Sequence, residues 1–274
     1  MTVGEQMNLF AERYGKRVIV NGIVWRYYCL GAGAPILWLT GGLRRAALGF
    51  AFMQRLAARH RVIAPDYPPV QTLDEYMQAF DAILRAEEVS DFALGGQSYG
   101  GLLAQAYLAY RRGAVERLVL SSSGPADYGR AWLPVEHFCL ALARLLPEKG
   151  VKKLLLGGLL KVITLPETER AEWQELIQTV VDNDLSRADV ISHFAVAAAL
   201  IRQGLVTPAA YRSWAGRVII LRAENDPTQN QRDILRYTRL FGRTVEVVNL
   251  GEMGHAAAIF DPDAYTNWLE LALA

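Results

Sequence analysis

The chain has 274 residues, 52% of them hydrophobic and 21% charged, which suits one large domain with a sizeable core. Its 29 basic and 28 acidic residues leave a net charge of +1, which argues against nucleic acid as a partner. Two cysteines, Cys29 and Cys139, make no disulfide framework and fit a reduced, cytoplasmic setting.

The first six residues carry no basic patch ahead of an apolar run, so no signal peptide is expected. Residues 17–29 read as two short strands around Asn21-Gly22, a favoured pair for a tight hairpin turn. Residues 35–39 are wholly apolar, the mark of a buried parallel strand, and Gly41-Gly42 closes them. Helical spacing over residues 48–59 leads into a second buried strand at 61–65. Residues 72–87 place Leu73, Tyr76, Met77, Phe80, Ile83 and Leu84 on one helical stripe. Phe92-Ala93-Leu94 reads as another strand, Leu102 to Ala109 as another helix, and residues 117–121 as another strand.

The alternation then stops. Residues 125–213 hold several helical stretches and no convincing strand. It resumes with a strand at 217–221, a helix near 231–241, a strand at 244–248 and a last helix after Asp261-Pro262. Buried strands alternating with amphipathic helices predict an α/β fold with a mostly parallel central sheet and helices on both faces. The expected core is 1–124 plus 214–274, with 125–213 inserted as a helical cap over the carboxyl edge of the sheet. The longest apolar run, 154–160, is bounded by Lys152, Lys153 and Lys161 and falls short of the ~20 residues a membrane span needs.

Between strand and helix stands Gly96-Gln97-Ser98-Tyr99-Gly100. A serine in this G-x-S-x-G setting sits on a sharp strand-to-helix turn, with glycines where a Cβ would collide with facing backbone. A serine hydroxyl needs a base, and the base needs an orienting carboxylate. Asp226 follows one late strand and His255 the next, both at carboxyl ends where open α/β sheets meet ligands. Ser98 is therefore the expected nucleophile, His255 the base and Asp226 the orienting acid. Glu224, two residues from Asp226, is the alternative acid. The expected oxyanion donors are the backbone N–H groups of Tyr99 and Gly42, with Leu43 as the alternative to Gly42. His60 reads as a solvated helix-end residue, and His137 and His193 as packed or surface side chains. No metal-ligand spacing and no phosphate-cradling loop appears, so neither metal nor cofactor is expected.

These pieces together resemble the α/β-hydrolase superfamily, in its order and over nearly the whole chain. They are Leu39-Thr40-Gly41-Gly42, the stretch ending in Asp66-Tyr67-Pro68, the Ser98 elbow, Asn225-Asp226-Pro227 and Gly254-His255. The resemblance implies serine acyl chemistry without a cofactor. Ser98 excludes the dehalogenase and epoxide-hydrolase relatives, whose elbow carries an aspartate. Two departures stand out. Thr40-Gly41 replaces a frequent His-Gly, and Pro68 runs through Pro69-Val70-Gln71 straight into a helix. The shortened connection resembles the maspardin-like branch, which implies a non-catalytic binding protein as the rival reading. The elbow also resembles some prolyl aminopeptidases, which need acidic cap residues; Glu136, Glu148 and Glu172 are available.

The segment 125–213 is rich in leucine and aromatics, which predicts either a greasy acyl pocket or ordinary core. Gly157-Gly158 within it marks a candidate bend or hinge. The expected activity is hydrolysis of a small hydrophobic ester. Oligomeric state stays open, a homodimer included.

Overall fold

In the computed structural model, which describes residues 1–127, 131–163 and 165–273, the long apolar runs become strands buried on both faces. The sheet has eight strands: β1 (Gly15–Val20), β2 (Ile23–Leu30), β3 (Ala34–Leu39), β4 (His60–Pro65), β5 (Phe92–Gln97), β6 (Val115–Ser121), β7 (Arg217–Arg222) and β8 (Glu246–Asn249). Their spatial order is β1-β2-β4-β3-β5-β6-β7-β8, with β1 and β2 antiparallel to their neighbours and every other pair parallel. Asn21 and Gly22 both adopt positive φ, at 51° and 79°, as the tight β1–β2 turn requires.

Helices cover both faces. α1 (Val3–Tyr14), α2 (Phe50–Leu56), α3 (Leu73–Ala86) and α4 (Tyr99–Tyr110) precede β6. Between β6 and β7 the described residues form α5 (Leu133–Leu145), α6 (Glu148–Val162), α7 (Arg170–Thr179), α8 (Arg187–Gln203) and the short α9 (Pro208–Tyr211), with no strand. Of the expected insertion over 125–213, residues 128–130 and 164 lie outside the described residues, as does 274 of the expected core. α10 (Gln231–Phe241), α11 (Ala257–Phe260) and α12 (Pro262–Leu273) complete the chain.

Two apolar layers sandwich the sheet. One holds Trp38, Phe52, Val62 and Tyr265, and extends to Trp173, Leu176 and Ile177 of α7. The other holds Leu37, Ile63, Phe80, Leu94, Tyr107 and Ile220. Full burial of a large apolar side chain contributes about 1.5–3 kcal/mol, so these layers dominate stability. A buried carboxylate adds a polar seam. Glu87, just past α3, accepts hydrogen bonds from Lys16 (2.9 Å) and Tyr27 (2.7 Å), and also meets Cys29 and Arg61. Burial pushes its carboxyl up, but these bonds outweigh it and hold the group down at about 2.

Four sequence expectations are corrected. α1 lies in a stretch read only for a leader, and Thr2 with Glu5 caps it reciprocally. The expected helix over 48–59 is shorter, because a 3₁₀ turn at Ala46–Gly49 precedes α2. His60 opens β4 rather than ending a helix. α6 runs unbroken through Gly157 and Gly158, so no break in the helix marks a hinge there.

Candidate active site

Ser98 sits between β5 and α4 with φ 54° and ψ −121°, a region L-residues rarely enter. Its neighbours have no room for side chains. A Cβ on Gly96 would lie 2.3 Å from the Gly100 carbonyl oxygen, and one on Gly100 would lie 2.0 Å from that of Leu39. The backbone N–H of Ser98 donates to the Ser121 carbonyl at 2.9 Å, pinning the turn to β6. The serine thereby stands at the amino end of α4, where free N–H groups and the helix dipole favour negative charge.

Asp226 and His255 come from the loops after β7 and β8. Asn225 ties these loops together: its amide donates to the Glu252 carbonyl at 2.9 Å and accepts from the Gly254 N–H at 2.8 Å. Leu250 N–H donates to the Arg222 carbonyl at 2.8 Å beside them. Gln97 donates to the His255 carbonyl at 2.9 Å and holds the histidine loop against the elbow.

The three side chains form one line. Ser98 Oγ lies 3.1 Å from His255 Nε2, and His255 Nδ1 lies 3.0 and 3.2 Å from the two Asp226 carboxylate oxygens. Thr228 joins them: its backbone N–H and its hydroxyl each donate to Asp226 Oδ1 at 2.8 Å, and the hydroxyl lies 3.0 Å from His255 Nδ1. Burial pushes the Asp226 carboxyl up, but the His255 and Thr228 interactions outweigh it and hold the group at about 2. Glu224 does not join the line; its exposed carboxylate accepts from Asn249 at 2.7 Å. Such a line can pass a proton from a serine hydroxyl to an imidazole whose far nitrogen is held by a carboxylate.

The loop after β3 lies against the serine. A Cβ on Gly41 would be 3.6 Å from Ser98 Cβ, and Gly42 abuts His193, whose Cε1 would be 3.2 Å from a Cβ there. The Tyr99 N–H begins α4 and has no partner four residues back within the helix. The Asp66-Tyr67-Pro68 connection braces this loop from beneath. The Tyr67 hydroxyl donates to the Thr40 carbonyl at 3.0 Å, and Asp66 accepts from the Ala46 N–H at 2.7 Å. Arg44, 1% exposed and at φ 63°, donates to the Pro68 carbonyl and to Ser192 of α8, and lies 3.4 Å from Asp189.

Above the serine is a cavity of about 600 Å³. Gly41, Gly42, Gln97, Ser98, Thr228 and His255 make its floor, and Leu142, Val151, Leu155, Leu159, Val190 and Phe194 its apolar wall. His193, read from sequence as packed or surface, lines this cavity and stacks on Tyr99 with ring centroids 4.1 Å apart. Burial, then the Arg44 charge, lowers its pKa to about 3, so the ring is neutral near pH 7. His137 is exposed. The three glutamates offered from sequence, Glu136, Glu148 and Glu172, stay outside the cavity. Glu148 pairs with Lys152 at 3.0 Å, Glu172 accepts from the Val3 N–H, and Glu136, pushed up to about 7 by burial, is not on the lining. Among the described residues no group of three or more His, Cys, Asp or Glu is placed to hold a metal ion, and no helix is long and apolar enough to cross a membrane.

A profile of the alpha/beta hydrolase family matches residues 18–268. The chain belongs to the alpha/beta hydrolase family. Within that family its fold is close to a thermophilic esterase from Thermogutta terrifontis, with TM-score 0.76, 17% identity and coverage of 94% of this chain and 98% of that one. It is also similar to a haloalkane dehalogenase from Bradyrhizobium elkanii, with TM-score 0.66, 16% identity and coverage of 94% and 95%. Identities this low show the shared alpha/beta hydrolase fold alone, which hosts different chemistries. By sequence the chain is 29% identical over 157 residues to maspardin of Danio rerio, covering 53% of this chain and 49% of that protein. The chain thus spans about half the length of the curated relative it matches.

Thr228, Asn225, Gln97 and His193 are the site residues that sequence reading missed. Asp226-Pro227-Thr228 carries a local signal, because a hydroxyl two residues after an aspartate can close an Asx-type turn. His193 carries none, since only the path of α8 brings it to Gly42.

Proposed function

We propose that this protein is a serine hydrolase that cleaves a hydrophobic ester through an acyl-enzyme on Ser98. One observation carries the reading: the Ser98–His255–Asp226 line, with contacts of 3.1 and 3.0 Å, at the floor of an apolar cavity. His255 takes the Ser98 proton as Oγ attacks the ester carbonyl, then returns it to the leaving alcohol. Asp226 holds the imidazole tautomer, and Thr228 holds Asp226. The N–H groups of Gly42 and Tyr99 receive the oxyanion. Water activated by His255 then releases the acid. Residues 125–213 act as a cap on the core formed by 1–124 and 214–274, and the cap's leucines receive the acyl chain. No cofactor takes part.

The test is labelling by a fluorophosphonate probe together with turnover of activated esters. Stoichiometric labelling at Ser98 and turnover lost in Ser98→Ala are expected. Turnover undiminished in Ser98→Ala would defeat the mechanism, and the absence of labelling in folded protein would favour the second reading. That reading, a ligand-binding protein without turnover, draws on the likeness to maspardin. The preserved serine–histidine contact counts against it. An aminopeptidase is disfavoured because Asp189, the carboxylate on the cavity lining among the described residues, is engaged by Arg44 and Arg45.

A further inference from the structure

The helical segment between β6 and β7 presents an apolar face to the outside. α5 is apolar on both sides. Ala143 on its inner side is buried with Val151 of α6 and Val190 of α8. Its outer side carries Phe138 at 64% exposed and Leu145 at 81%, one helical face given their seven-residue spacing. An apolar helix face is ordinarily covered. α6 adds a further exposed leucine, Leu154 at 58%, which also lines the cavity above Ser98. Gly158, one turn further and likewise exposed, lines it too. The cavity therefore reaches the exposed side of α6.

Charge identifies what covers it. Arg144, Lys149, Lys153 and Lys161 are exposed, and none has an ion pair among the described residues. Lys152 differs: it is half-buried and held by Glu148 at 3.0 Å and the Asp182 carbonyl at 2.7 Å. At helical spacing Lys149, Lys153, Leu154 and Lys161 fall on one side of α6, so bases rim the apolar patch. The whole chain is nearly neutral, at +1, which makes this local excess a feature of the face itself. Two-fold pairing with a second copy would set these bases against their own counterparts. An anionic bilayer supplies both an apolar layer and the opposing charge.

We propose that the α5–α6 face docks onto an anionic lipid bilayer. Phe138 and Leu145 enter the acyl boundary, Arg144, Lys149, Lys153 and Lys161 lie among the headgroups, and the cavity mouth faces the lipid. This docking does not depend on the Ser98 chemistry.

The test is flotation of the full chain with vesicles of phosphatidylcholine alone or with added phosphatidylserine. Co-flotation only with the anionic vesicles, weakened by salt, is expected. Phe138→Ser/Leu145→Ser should abolish it. Lys149→Gln/Lys153→Gln/Lys161→Gln should lower partitioning on the order of a hundredfold, from the three lost headgroup contacts. Both variants change exposed positions off the cavity lining, and unchanged thermal unfolding midpoints verify their folds. Wild-type protein that stays off every vesicle would overturn the proposal. So would flotation indifferent to both variants, or a concentration-dependent dimer that Phe138→Ser/Leu145→Ser breaks while no vesicle is bound. Flotation reads binding only, so its failure is distinguishable from a failure of ester turnover.

Discussion

Ser98 is held at positive φ by contacts that leave the backbone no slack, and its neighbours show how little tolerance there is. In Gly100→Ala the new Cβ would lie 2.0 Å from the Leu39 carbonyl oxygen and 2.5 Å from that of Thr40. Both are main chain, so the strand or the elbow must move. We expect a loss of roughly 3 kcal/mol or more in urea unfolding. Asp226→Asn keeps the shape but presents an amide to His255. Ester turnover should fall by roughly three to four orders of magnitude. Thr228→Val removes the hydroxyl donor to Asp226 and its contact with His255. It retains the backbone N–H, so kcat should drop about tenfold with KM nearly constant. Ser98, Asp226 and His255 were legible because each sits in a strand-to-loop junction marked by glycine or proline nearby. Gln97 was not, because its partner, the His255 carbonyl, is set by tertiary packing and leaves no spacing in the chain.

Strands and long helices followed from pattern, since apolar runs of five or six residues have few other outcomes in an α/β chain. α10, expected near 231–241, is observed at Gln231–Phe241, because Asn230 caps it and Gly242 at φ 64° ends it. α2 was shortened because the 3₁₀ turn before it answers to Asp66, which accepts the Ala46 N–H across the fold. Two elements give further predictions. Gly157 in α6 has open space where a Cβ would go. Gly157→Ala should therefore raise stability by about 0.5–1 kcal/mol, read as a higher urea midpoint. Glu87 sews α3 to β1, β2 and β4. Its carboxyl is held at about 2 against an ordinary 4.5, so its stabilising share is complete above pH 4.5 and is lost as pH falls through 2. Glu87→Gln should cost about 2 kcal/mol at neutral pH, a figure lowered because Lys16 is half exposed. The gap to wild type should close as unfolding is measured at progressively lower pH.

The helical segment packs into both apolar layers of the sheet, through Trp173, Leu176 and Ile177 on one side and Val196, Leu200 and Tyr211 on the other, and polar bridges add to this. Arg44 joins the Gly41–Gly42 loop to Ser192 of α8, and α1 packs Val3, Met7 and Phe10 into the layer that includes Trp173 and Leu176 of α7. The cavity volume of about 600 Å³ accommodates an extended acyl chain. Leu155→Trp should shift the preference among activated esters toward shorter acyl groups, while a small fluorophosphonate still labels Ser98. Labelling lost together with long-chain turnover would mean that the substitution disrupts the elbow rather than the chain-binding space. That the α5–α9 segment would be helical was legible; its shape above Ser98 was not. Cavity walls are set by how α5, α6 and α8 cross, and the apolar stripes of those helices would look the same in a filled core.

The elbow and its partners are far apart in the order of synthesis. Ser98 is translated well before α5, whereas Asp226 and His255 come after α9, and His255 follows the last strand of the sheet. A ribosome that has completed the first 225 residues has made the serine without its imidazole or its carboxylate. Chains that stop before Asp226 therefore lack the imidazole and the carboxylate that, in the mechanism we propose, make the Ser98 hydroxyl a nucleophile.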